Sequence, residues 1–188
     1  MTRIISGFAG SLRLAVPNGA TRPTSDRTRE GIFSALDARG VLDGARVLDL
    51  YAGSGALGLE AVSRGAVSAQ LVDSSASAAS ACKRNAATVS ASPRAPRGLQ
   101  LLVTRQTTDA FLSTDTATYD LVFLDPPYDV ATEEIDRTLQ LVAERIAPDG
   151  LIVLERSTRS ADPRWPDGIE LNRARDYGET RVFYAQPA

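Results

Sequence analysis

The sequence predicts an α/β fold, a mostly parallel and doubly wound sheet with helices on both faces and an antiparallel last strand. Three observations carry this. Short apolar runs alternate with helical patterns through residues 45–156, the order that builds parallel strands joined by crossover helices. The first of these runs passes through a turn containing Gly53 and Gly55 directly into a helix. The chain then ends in two strand-like segments, 169–177 and 180–185, around Gly178-Glu179, a hairpin that reverses the final strand.

Length and composition suit one domain with a small appendage. The 188 residues are 43% hydrophobic, enough for a full core. No apolar run reaches the roughly 20 residues that span a bilayer, and the first residues lack the apolar stretch of a signal peptide, so a cytoplasmic protein with no membrane partner is expected. A lone Cys82 excludes an internal disulfide, and with no His the usual zinc and His-base chemistries lose their main residue; no metal is expected. Net charge is −2, but unevenly spread: residues 1–30 carry Arg3, Arg13, Arg22, Arg27 and Arg29 against Asp26 and Glu30, a net +3, leaving −5 for the rest. The amino end is the basic one, suited to phosphate contacts.

Residues 4–14 mix apolar side chains with Ser6, Gly7, Gly10 and Ser11 and run on to Pro17-Asn18-Gly19, which predicts a short β-hairpin outside the main domain. This gives an extension over 1–20 and a main domain over 21–188. Past Pro23, the capping residues Thr24, Ser25 and Asp26 precede Ile32, Phe33 and Leu36 at helical spacing, so a helix starts at Ser25 or Asp26. Arg27 and Arg29 stand in its first turn, where the positive helix end disfavours a cation unless a phosphate or carboxylate is near. The plain alternative is a solvated face.

Residues 45–51 read as a buried strand entering the glycine turn. Gly53 and Gly55 let backbone N–H groups approach a ligand, and Gly58 lets the helix over 57–64 approach the strand. Nicotinamide, flavin and S-adenosylmethionine sites all use related turns. Two details favour the last: Asp49 lies inside the strand, where a carboxylate can hold a cationic amino-acid head group or its waters, and no P-loop Lys follows the turn. Residues 69–73 form a second strand ending in Asp73, 24 residues after Asp49, at the offset where an acid bonds ribose hydroxyls. Ser74-Ser75 caps a helix over 76–89 that packs Cys82 against the sheet. A loop over 90–98, a strand over 99–104, a helix over 107–112, a strand over 121–124, a helix over 132–147 and a strand over 150–156 complete the alternation.

The fourth strand stops at Asp125-Pro126-Pro127-Tyr128. The two prolines lack an N–H and fix φ, so strand pairing cannot continue. In an open α/β sheet ligands bind at the carboxyl ends of strands, so Asp125, the Pro126 carbonyl and Tyr128 face a pocket together.

With the glycine turn, Asp73, Asp125-Pro126-Pro127-Tyr128 and the terminal hairpin in this order, the chain resembles the class I S-adenosylmethionine-dependent methyltransferases. The resemblance implies a Rossmann-like seven-stranded sheet. The tetrapeptide is similar to the motif of those that methylate exocyclic amino groups of bases. The stretch Arg3-Ile4-Ile5-Ser6-Gly7, the segment from Arg22 to Glu30 and the Tyr177-Gly178-Glu179-Thr180 turn resemble the RsmD family. That resemblance covers nearly the whole chain and implies methylation of N2 of a guanine in 16S rRNA, within an assembling or assembled small ribosomal subunit, by a monomer. It implies that Asp49, Tyr51, Ala52, Gly53, Ser54, Gly55, Asp73, Thr107 and Asp125 bind cofactor. Asp125, Pro126, Pro127 and Tyr128 are then catalytic, and Arg3, Arg13, Arg22, Arg27 and Arg29 bind RNA. The sequence departs from the family pattern at the start of the helix after the third strand, where Arg105-Gln106-Thr107-Thr108 stands in place of an acid or amide for the adenine amino group. The rival readings are a DNA adenine-N6 methyltransferase, an NAD(P)-dependent oxidoreductase and a non-catalytic nucleotide-binding module.

Overall fold

The computed structural model describes residues 2–17 and 25–188; Asn18 and Gly19 of the expected turn, and Arg22, lie outside the described residues. The elements are α1 (Asp26–Arg39), β1 (Arg46–Leu50), α2 (Ala56–Ser63), β2 (Ser68–Asp73), α3 (Ala76–Ser90), β3 (Gln100–Arg105), α4 (Thr108–Thr114), β4 (Tyr119–Leu124), α5 (Thr132–Ala143), β5 (Ile146–Ser157), β6 (Ile169–Tyr177) and β7 (Thr180–Pro187). All seven strands join one sheet in the order β3-β2-β1-β4-β5-β7-β6. β1 to β5 are parallel, and β7 runs antiparallel between β5 and β6. The reversed last strand expected from the sequence is therefore present, and it lies inside the sheet with β6 outside it.

Alternate residues of β4 feed two cores. Leu121 and Phe123 pack with Phe33, Leu36, Leu59 and Val89 from α1, α2 and α3. Val122 and Leu124 pack with Phe111, Leu112, Ile135 and Leu139 from α4 and α5. A strand covered on both faces has to be apolar throughout, which is why 121–124 reads as an unbroken run. β1 and β4 sit side by side at the middle of the sheet. Crossovers lead outward from β1 through β2 to β3 on one side and from β4 to β5 on the other, so the crevice between the carboxyl ends of β1 and β4 is a topological switch point.

Helix α1 starts where the sequence places it. Ser25 is its N-cap, the hydroxyl accepting the Thr28 N–H at 3.1 Å, and Gly40 closes it at φ +66°. Two boundaries differ from expectation. Helix α5 ends at Ala143 instead of 147, because the Arg145 carbonyl accepts the Tyr119 N–H at 2.8 Å and Ile146 pairs with Tyr119, starting β5 early. The amino-terminal segment reverses direction as a hairpin would, but among the described residues it holds only one bridge, Arg3 with Arg13. Nor does it stand outside the domain. Ile4, Ala9 and Leu14 are buried in the core shared with α1 and α2, and the buried Glu60 carboxylate accepts the Ile5 and Ser6 N–H groups at 2.6 and 3.0 Å. Asn85 of α3 clamps Ala15 from both sides, accepting its N–H and donating to its carbonyl.

Candidate active site

The turn after β1 is shaped from beneath. Tyr51, Gly53 and Gly55 all take positive φ, at +60°, +57° and +77°. That is costly for Tyr51 and free for the glycines. Gly58 has to be glycine for another reason: a Cβ there would fall 2.5 Å from Leu71 Cδ2, so α2 can lie on β2 only without one. At Gly53 a Cβ would meet nothing nearer than the Tyr51 carbonyl at 4.0 Å, so this part of the turn faces open space. The peptide groups are tied inward. Ala52 N–H reaches the Val72 carbonyl at 3.0 Å, the Ser54 carbonyl accepts from Asn85 at 2.8 Å, and the Gly53 carbonyl accepts from Cys82 Sγ at 3.3 Å. Burial pushes the Cys82 thiol up, in keeping with a packing role.

Asp49 and Asp73 divide the work. Asp49 is 1% exposed, and its Oδ2 accepts the Gly58 N–H at 2.9 Å, so it holds the first turn of α2 against β1. Burial pushes its carboxyl up to about 7 against the pull of that N–H, and the charges of Asp125 and Asp73 add to the rise. Asp73 is half-buried at the tip of β2. Its Oδ2 accepts the Gly53 N–H at 2.9 Å and its Oδ1 the Ser75 N–H at 2.8 Å, which leaves lone pairs on both oxygens for ligand hydroxyls. Thr107 is exposed and caps α4, its hydroxyl accepting the Ala110 N–H. The neighbouring Thr108 donates to the Tyr51 hydroxyl at 3.3 Å, which brings the start of α4 to the glycine turn.

Asp125 stands at the adjoining strand tip. Leu50 pairs with Leu124, so Tyr51 and Asp125 leave neighbouring strands at the same level. Asp73 and Asp125 thus stand at the switch point with the buried Asp49 behind them, a setting suited to a cationic ligand and ill suited to a pyrophosphate. Pro126 is buried, while Pro127 and Tyr128 are exposed, Tyr128 by 58%. The loop is held at two places the sequence does not mark. Arg156 of β5, 4% exposed, donates to the Val130 carbonyl at 2.9 Å. Tyr128 and Thr180 share a hydroxyl contact at 3.4 Å.

The arginines separate. Arg3, Arg13 and Arg27 are exposed. Arg29, expected to contact phosphate, is 1% exposed instead, with Nη2 donating to the Arg3 carbonyl at 2.8 Å and to Asp26 at 2.7 Å. The anion that its place in the first turn demands is a carboxylate from the same helix, and its guanidinium fastens α1 to the amino-terminal segment. A cleft of about 710 Å³ opens between α1 and the β6–β7 turn, with Arg27 and Tyr128 on its walls.

A seven-stranded sheet in this order, with a glycine turn and a carboxylate at its switch point, is the architecture of the class I methyltransferases. A magnesium protoporphyrin IX methyltransferase from Synechocystis shares that fold, with a TM-score of 0.67 over 86% of this chain and 79% of the other at 22% identity. The chain belongs to the RsmD family: residues 2–186 match the family described as Conserved hypothetical protein 95. It is 32% identical over 180 residues to ribosomal RNA small subunit methyltransferase D of Escherichia coli K12, covering 94% of this chain and 85% of that one. The Haemophilus influenzae protein of the same name is 33% identical over 158 residues, 81% and 77% of the two chains. A hypothetical protein from Thermus thermophilus superposes with a TM-score of 0.81 over 99% of both chains, at 30% identity.

Proposed function

We propose that this protein transfers a methyl group from S-adenosylmethionine to the exocyclic N2 of a guanine in the 16S rRNA of the small ribosomal subunit. The observation that carries the reading is the pair of neighbouring strand tips: an open glycine turn flanked by Asp73 on one side and Asp125-Pro126-Pro127-Tyr128 on the other. The names of the E. coli and H. influenzae relatives support the rRNA substrate. The cofactor fits the residues present. Asp73 has free lone pairs for ribose hydroxyls, Gly53 faces open space, and the Asp73 and Asp125 carboxylates favour a sulfonium and an ammonium. Asp49 acts from behind, by holding α2.

When bound, S-adenosylmethionine supplies an electrophilic methyl group. The chain's own residues must make the amine attack it. A guanine amino nitrogen is a poor nucleophile because its lone pair is delocalised into the ring. The Asp125 carboxylate and the Pro126 carbonyl each accept one N–H, which turns the nitrogen toward tetrahedral geometry and directs its lone pair. The same two oxygens complement the positive charge that builds on nitrogen, and Asp125 is the acceptor for the proton it sheds. Pro126 and Pro127 hold the carbonyl rigid. Tyr128 offers its exposed ring to the base once the nucleotide is turned out of its stack. Arg3, Arg13 and Arg27 hold flanking phosphates, and the extension over 1–20 serves RNA binding, with Ile4, Ala9 and Leu14 tying it to the core.

The test is to incubate the protein with isotopically labelled S-adenosylmethionine and small ribosomal subunits that lack the modification, then map the label. Label at N2 of a single guanine is expected. Label on adenines of duplex DNA and none on the subunit overturns the assignment in favour of the DNA enzyme, and cofactor binding with no transfer leaves a binding module.

A further inference from the structure

Beyond the roles given to Arg27 and Tyr128 on its walls, the cleft beside Tyr128 is built for a ligand of definite chemistry. Its walls are the start of α1, with Arg27 and Glu30, and the β6–β7 turn, with Arg175, Tyr177 and Thr180. Gly31 and Tyr177 close its base. A Cβ at Gly31 would fall 2.3 Å from Tyr177 Cε1, so the ring lies directly on the α1 backbone, and the Arg175 guanidinium stacks 5.0 Å from the same ring's centroid. Helix α1 carries a glycine in its interior, at a cost of about 1 kcal/mol relative to alanine, where this ring has to fit.

The charges sort by partner. Asp176 and Glu179 also line the cleft, but Arg181 holds the first at 2.7 Å and Arg159 the second at 2.9 Å. Arg27 and Arg175 make no ion pair among the described residues, and Glu30 is the one lining carboxylate in the same position. Once internal pairs are discounted, two cations face one anion beside an arginine stacked on an aromatic ring. An anionic ligand with a flat face matches this, and the volume of about 710 Å³ falls within the range of pockets that hold small ligands. The Tyr128–Thr180 contact makes one wall continuous with the catalytic loop.

We infer that the cleft binds the RNA nucleotide next to the target guanine, its phosphate drawn by Arg27 and Arg175 and its base laid on the Arg175–Tyr177 stack. Single-stranded RNA is recognised by such stacking on aromatic rings and arginine planes with phosphate contacts alongside. The inference rests on the placement of the target guanine at Asp125 and Tyr128. It adds a second reading position, so the enzyme senses the neighbour of its target as well as the target.

The full chain carrying R27Q and R175Q together is assayed on unmodified small subunits over a range of salt. The KM for RNA is expected to rise about tenfold with a much smaller change in kcat. The slope of log KM against log salt should fall by roughly 1 to 2, one for each lost phosphate contact. E30Q should act in the opposite sense and lower KM, an effect that a merely structural residue would not show. In a synthetic RNA carrying the target, an abasic nucleotide next to the guanine should raise KM for the wild type and much less for the double variant. Both arginines are exposed, so melting temperatures serve as the control for folding. A wild type that methylates RNA beside a double variant with unchanged KM and salt slope overturns the cleft assignment and the phosphate contact at Arg27, and leaves the methyl transfer standing. A wild type that methylates no small-subunit RNA overturns the proposed function, and the cleft assignment with it.

Discussion

The two sides of the switch point are built on opposite plans. On the glycine-turn side, Gly53, Ser54 and Gly58 are each tied to Asp73, Asn85, Cys82 or Asp49, and the last of these is 1% exposed. On the other side Tyr128 is 58% exposed with its hydroxyl 3.4 Å from that of Thr180, while Arg27 has no ion pair among the described residues. The first is a finished mould for a small ligand. The second is a set of reaching groups that acquire their final arrangement from a large one. Binding energy on the first side is therefore concentrated in a few buried contacts, and on the second side it is spread and salt-sensitive.

Substitutions can break this contrast. The largest effect is expected at Asp125: D125A should lower turnover by on the order of 10²-fold or more, with a much smaller loss of cofactor affinity by calorimetry. Unchanged turnover would remove Asp125 from the chemistry. D73A removes a charged acceptor from the Gly53 N–H and from the ribose. It should weaken S-adenosylmethionine by roughly ten- to a hundredfold, on the scale of about 1.5–3 kcal/mol for hydrogen bonds to charged groups, and equal affinity in calorimetry would refute the role. Arg27 and Arg29 sharpen the contrast within one helix turn. R29A should lower stability by about 1–3 kcal/mol in denaturant unfolding, because it leaves the Arg3 carbonyl unpartnered. R27A should leave the melting curve in place and weaken RNA binding.

The last effect is a slope. The Asp49 carboxyl sits at about 7 in the folded chain against an ordinary 3.8, so between those values the folded state holds a proton that the unfolded state has lost. Its contribution is full below about pH 4 and declines as pH rises to about 7, by no more than about 1.4 kcal/mol per unit. D49N keeps an acceptor for the Gly58 N–H and should flatten that part of the stability profile. A wild-type curve that coincides with that of D49N from pH 4 to 7 would show that the carboxyl is not raised.

What the sequence makes legible follows the same division. Residues 121–124 are recognisable because a strand covered on both faces must be apolar along its whole length, 47–50 because Asp49 alone interrupts such a run, and Gly58 because only a missing Cβ lets α2 reach Leu71. Arg29 is misjudged when its charge is read without its position. It falls on the stripe of Ile32, Phe33 and Leu36, three, four and seven residues on, all of them buried, and that spacing is the available signal. The end of α5 is misplaced because Ile146 continues a helical apolar pattern, and only its pairing with Tyr119 shows it to be strand. The segments that line the cleft are marked in the sequence by the family resemblance, but their meeting is not. Gly31 and Tyr177 lie 146 residues apart and become neighbours only when the sheet brings β6 to α1.

The positive φ of Tyr51 bears on how fast the donor binds and leaves. A non-glycine residue in that conformation persists only where its surroundings over-determine it, and here its hydroxyl meets Thr108 while the next residue's N–H is bound to Val72. With the donor placed as proposed, it finds its seat already rigid and forfeits little entropy in ordering it, so its association is expected to be governed by encounter and its residence time by the few contacts that must break.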